Sequence, residues 1–86
     1  MTAEFHRTFD KQLAKLPKNR RDKVIDTIGV FLDKPTRLSL RNHALTGKWA
    51  GFRSISAGGD LRLHFELIDE DTAYFVAVGT HSQLYR

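Results

Sequence analysis

The sequence predicts a small α+β fold of order β-α-α-β-β-β, an antiparallel sheet with two helices packed on one face. Two periodicities and one kind of punctuation carry that expectation. Apolar residues recur at helical spacing through the first half of the chain, whereas from Gly51 to Val78 they alternate as in half-buried strands. Proline, paired glycines and an acidic cluster fall between the blocks, where connections are needed.

Taken in order, Ala3 to Thr8 reads as a short strand in which Phe5 has polar neighbours. Phe9, Leu13 and Leu16 then mark an amphipathic helix that Pro17 ends. A second helix is expected from Asn19 to Asp33, with Val24, Ile25, Ile28, Phe31 and Leu32 as its apolar stripe and Pro35 as its stop. Arg37 to Lys48 is expected to be irregular, with Leu38, Leu40 and Leu45 tucked inward. Three strands should follow, Gly51 to Ser56, Leu61 to Ile68 and Thr72 to Val78. Gly58-Gly59 and Asp69-Glu-Asp71 would join them as consecutive hairpins.

Composition narrows the class. Eighty-six residues make one domain, 1–86, of modest expected stability. With 41% hydrophobic and 28% charged residues the chain is expected to fold alone. It has no cysteine, which rules out disulfides and thiolate zinc sites. The longest apolar run, Ile28 to Leu32, is too short for a bilayer, and the N-terminus lacks a signal-peptide layout, so a cytoplasmic protein is expected. The net charge is +4 and the pI about 9.8. Between Lys34 and His64 the cations Lys34, Arg37, Arg41, Lys48, Arg53 and Arg62 face only Asp60, a field that attracts polyanions. The same residues also serve as an ordinary solvated surface in many proteins.

The strand from Leu61 separates two chemistries. Leu61, Leu63, Phe65 and Leu67 share one face, expected against the helices. Asp60, Arg62, His64 and Glu66 would then line up on the opposite, solvated face. A carboxylate, a guanidinium and an imidazole in a row can bind a phosphodiester and move protons around it. A plain polar outer face produces the same alternation.

What favours the chemical reading is a motif. The run His43-Ala-Leu-Thr-Gly47-Lys-Trp49-Ala-Gly51-Phe-Arg53, then Asp60, then Gly79-Thr80-His81 with Leu84-Tyr85, resembles the YafQ branch of the RelE/ParE toxin superfamily. Those toxins are ribosome-dependent mRNA interferases of bacterial type II toxin–antitoxin pairs with a small RelE-like microbial RNase fold. The resemblance covers about half the chain with specific motifs; the helical half agrees in layout. Two positions depart from the branch: Ser56 stands where it usually has a further active-site histidine, and Leu61 replaces the tryptophan after the aspartate. Gly59-Asp-Leu-Arg62-Leu is similar to a RelE segment whose arginine contacts the scissile phosphate.

The resemblance implies catalytic roles for His43, Asp60, Arg62 and His81, with Tyr85 near the reacting nucleotide. Lys48, Arg53, His64 and Arg41 are the accompanying RNA-binding candidates. His64 is also a candidate substitute for the absent histidine. The expected reaction needs no cofactor or metal: the ribose 2′-hydroxyl attacks phosphorus and expels the 5′-oxygen. His81 would be the acid, and Asp60 the base or the group that orients it. Arg62, helped by Arg53 or Lys48, would stabilise the charge. Lys11, Lys15, Lys18, Arg20 and Arg21 would dock on ribosomal RNA. The implied partners are the ribosome, its mRNA and an acidic antitoxin encoded nearby. Trp49 reads as packing, and His6 has no assigned role. Two other readings remain open: a ParE-like gyrase-inhibiting toxin, and a catalytically weak relative that only binds RNA or ribosomes.

Overall fold

In the computed structural model, which describes residues 1–85, the first strand stops earlier than predicted because a histidine starts a helix. Strand β1 spans Thr2–Phe5 and helix α1 spans Arg7–Ala14. His6 has extended backbone angles, and its Nδ1 accepts the Thr8 N–H at 2.9 Å, satisfying one of the free donors of the helix start. Pro17 stands at the head of helix α2, Lys18–Asp33, where its missing N–H costs nothing; its carbonyl accepts from Arg20 and Arg21. Past Asp33 the backbone turns extended at Lys34, as a residue before proline must.

The stretch from Arg37 to Lys48 is more ordered than its sequence suggests. A 3-10 turn at Leu38–Leu40 leads into strand β2, His43–Ala44, and a second 3-10 turn covers Gly47–Trp49. Strands β3 (Arg53–Ser56), β4 (Leu61–Asp69) and β5 (Thr72–Thr80) follow, and helix α3 (His81–Leu84) closes the described chain. Gly51, expected in β3, instead has φ 93° and forms the turn before it, a conformation that strains any residue with a Cβ.

The described residues thus form a five-stranded sheet of order β1-β5-β4-β3-β2. It is mixed rather than wholly antiparallel. The meander from β2 to β5 is antiparallel, and β1 joins parallel to β5, with Phe5 paired to Phe75. Their rings lie 5.7 Å apart, so the side-chain contact and the strand register reinforce each other.

Both long helices cover one face. Phe9 of α1 and Val24 and Phe31 of α2 are fully buried against Ile55, Leu63, Phe65 and Phe75. Phe31 meets Phe65 and Phe75 edge-on at 4.9 and 5.6 Å, contacts worth ~0.5–1.5 kcal/mol each beyond area burial. Two leucines depart from expectation. Leu38 points outward, 92% exposed, while Leu40 and Leu45 are buried. Leu67 is half-exposed where β4 nears its turn.

Cross-strand pairing sorts the remaining side chains. Arg53 pairs with Phe65 and Ile55 with Leu63, which puts both on the helix-covered face. Ser54–His64–Ala77 and Ser56–Arg62–Gly79 form two rows on the opposite face. That face is not open as expected. Leu84 and Ala77 are buried there outside the main core, and Trp49, Phe52 and Leu84 border a shallow cleft beside Ala77.

Candidate active site

Helix α3 is folded back by a local code in Gly79-Thr80-His81-Ser82-Gln83. Thr80 Oγ1 accepts the Gln83 N–H at 3.2 Å, and Gln83 Oε1 accepts the Thr80 N–H at 2.8 Å, a reciprocal capping box. Gly79 leaves room for it: a Cβ there would lie 2.9 Å from Gln83 Oε1. Two long-range bonds then dock the helix. The His81 N–H donates to the Asp60 carbonyl at 2.8 Å, and Trp49 Nε1 donates to the Leu84 carbonyl at 3.0 Å. Gly79→Ala should push Gln83 out of the box. The expected loss is ~0.5–2 kcal/mol in urea unfolding, the usual cost of a helix cap, and wild-type stability would contradict this account.

The turn presents His81 and Tyr85 to solvent as a stacked pair, centroids 4.5 Å apart. Beneath them lies His64, whose ring is perpendicular to Trp49 at 4.4 Å and steeply inclined to Tyr85 at 5.5 Å. His64 is wholly buried and neither ring nitrogen has a hydrogen-bond partner, so the expectation that it faces RNA on an open surface is corrected. The alternation of β4 holds as expected, but Trp49 and Tyr85 close over its polar face. Burial above all, then the nearby His43 and His81, lower its pKa to about 4, leaving the ring neutral at neutral pH.

His43 approaches the same cluster from β2, across the row through Ser54. Its Nδ1 lies 2.7 Å from the Arg41 carbonyl. A carbonyl only accepts, so Nδ1 is the donor, and in the neutral ring Nε2 is the nitrogen with the lone pair. Arg41, a candidate RNA contact, therefore also orients a histidine through its backbone. It does so with φ 50°, a left-handed conformation uncommon outside glycine. Sequence reading missed this role; the Arg-Asn pair before His43 is its only trace.

Arg62 sits one place before His64 on the same face. Its Nη1 donates to Gly59 O at 2.7 Å, Leu61 O at 3.0 Å and Ser56 Oγ at 3.2 Å. Ser56, at the position of the missing histidine, thus anchors the guanidinium.

Not every candidate converges. Arg53, on the helix-covered face, donates from Nε to Asn42 Oδ1 at 2.8 Å and is half-buried, which corrects its expected place beside Arg62. Asp60 reaches His81 through its backbone, and the residue borders a small cleft with Arg20 and Lys23 of α2. Lys48 is exposed on the turn before Trp49. Lys11 and Arg20 are exposed on the helices and Lys15 just past the end of α1, whereas Lys18 pairs with Asp22 at 2.9 Å and Arg21 donates to Leu16 O at 2.8 Å. Among the described residues no three histidine or carboxylate side chains are grouped as metal ligands, and no helix is long and apolar enough to cross a membrane.

The fold has relatives. YafQ from E. coli strain BL21(DE3) superposes with a TM-score of 0.82 at 20% identity, over 98% of this chain and 97% of that one. The RelBE2 toxin–antitoxin complex of Mycobacterium tuberculosis gives 0.76 at 27% identity, over 93% and 96%. The E. coli DinJ–YafQ toxin–antitoxin complex gives 0.70 at 22%, over 98% and 96%. Comparison with curated protein sequences finds no match. A family model described as the bacterial toxin YafQ of type II toxin–antitoxin systems matches residues 1–86, the whole sequence, and the chain belongs to that toxin family.

Proposed function

We propose that this toxin is a ribosome-dependent endoribonuclease that inhibits translation by cutting mRNA in the decoding site. The observation that supports this best is the meeting of His43 and His81, both exposed, around the buried His64, with Arg62 on the adjoining row. His43 Nε2 takes the proton of the 2′-hydroxyl as its oxygen attacks phosphorus. The bond to the 5′-oxygen breaks, and His81 protonates that oxygen. The products are a cyclic phosphate and a 5′-hydroxyl end. Arg62 stabilises the charge growing on the phosphoryl oxygens, and Tyr85 stacks on a base beside the cut. Asp60 acts by fixing the start of the His81 helix through its main-chain carbonyl, rather than as the base or as the group that orients the base.

Lys11, Lys15 and Arg20 supply phosphate contacts to ribosomal RNA, and an acidic antitoxin would neutralise the same cationic chain. With about three phosphates contacted, ribosome affinity should fall roughly 20–40-fold when salt rises fourfold. Cosedimentation across salt measures this, and a flat response would contradict docking through phosphates. The decisive experiment maps 5′ ends of mRNA on programmed ribosomes. Codon-phased cuts support the reading; intact mRNA rejects it and directs attention to gyrase supercoiling.

A further inference from the structure

His64 is the one buried group of the site to which no chemistry has been given. Both its nitrogens lack partners, which is costly for a polar ring and rare without a reason. Its surroundings supply one. Ser54 of β3 and Ala77 of β5 flank it in the sheet, and both are buried. Trp49 and Tyr85 cover it as steeply inclined rings in edge-to-face contact, so that aromatic packing surrounds the imidazole where an oxygen acceptor would otherwise be expected. Tyr85 is in turn stacked on His81.

We propose that His64 is a positioning residue: a neutral imidazole wedge that seats Tyr85, and through Tyr85 the His81 ring, on the sheet. The proposal rests on the nuclease reading for its catalytic consequence, but not for its structural one. A ring is needed at this position because an aliphatic side chain would fill the volume without a flat edge to orient Tyr85. The ring must also be uncharged. His43 from β2 and His81 from α3 face it, and Arg62 lies two residues before it on its own face of β4. Tyr85 and Trp49 offer no carboxylate, and Glu66, the acid next along β4, pairs across to Tyr74. A proton on His64 would put a charge in a buried pocket where no acceptor meets it, and would release the C-terminal turn.

The test compares the wild-type protein with His64→Phe and His64→Leu. Nuclear Overhauser contacts between the His81 and Tyr85 rings report the seat directly, whatever the protein's activity. They should persist at pH 7 in wild type and His64→Phe, and vanish in His64→Leu. Below pH about 4 they should vanish in wild type and persist in His64→Phe. In cleavage assays His64→Phe should keep kcat within a few-fold at neutral pH. His64→Leu should lose about 10–100-fold in kcat with KM little changed, the effect of a misplaced acid. Ring contacts intact in His64→Leu, or lost in a folded His64→Phe at pH 7, would overturn the proposal. A His64→Phe protein that keeps the contacts but cannot cleave would overturn it too, by making His64 a proton carrier. Absence of cleavage in wild type alone would reject the nuclease reading and leave the ring contacts to decide the role of His64.

Discussion

His81→Ala should cut ribosome-bound mRNA at least 100-fold more slowly than wild type, within the ~10²–10⁴-fold that a positioned general acid supplies. The protein should stay folded, because the His81 side chain is exposed and the bond that docks its helix comes from the backbone, His81 N–H to Asp60 O at 2.8 Å. The capping box uses Thr80 and Gln83 and does not need the imidazole. Tyr85 loses its stacking partner but keeps His64 and the Trp49 anchor at Leu84. Circular dichroism and urea unfolding should therefore change little, and ribosome binding should persist. The loss should fall on kcat, since the missing proton is needed only as the 5′-oxygen leaves. Unimpaired cleavage by folded His81→Ala protein would remove His81 from the chemistry. The same result with His43→Ala would remove the base.

The sequence carried most of the fold and of the convergence, because both are written in local patterns. The alternation of β4 assigned Leu63 and Phe65 to one face and Arg62 and His64 to the other, as the pairing has them. What it did not carry is what lies over the second face. The cover comes from Trp49, fifteen residues earlier, and Tyr85, twenty-one later, and no local period encodes that meeting. The C-terminal reversal could have been read: Gly79-Thr80 with Gln83 three residues on is a capping signal after a strand. Arg53 could have been placed as well. Ile55 faces the core, so Arg53, two residues before it on the same strand, belongs to that face rather than to Arg62's. The strand at His43 was too short to give a period, and the left-handed Arg41 that orients its imidazole has no composition signal.

Acid should unfold this protein through His64 more than through any surface group. Burial and two neighbouring histidines hold the folded-state pKa at about 4, against 6.5 for a free imidazole. As pH falls below 6.5 the unfolded chain takes up a proton that the folded protein refuses, so stability declines with falling pH. The decline ends once the pH has passed below about 4, where both states carry the proton. At 1.36 kcal/mol per pH unit this amounts to about 3 kcal/mol, a large part of the ~4–13 kcal/mol available to a domain of this size. Carboxylates also lose favourable contacts in acid, so the informative quantity is the difference between two proteins. His64→Phe cannot take the proton, and any overpacking by its larger ring adds the same cost at every pH. Urea unfolding at pH 7 and pH 4 should therefore show a smaller acid loss in His64→Phe, by roughly 2–3 kcal/mol. Parallel stability curves for the two proteins would mean that His64 is reached by water or by a partner in the folded state. The neutral wedge beneath Tyr85 would then lose its physical basis.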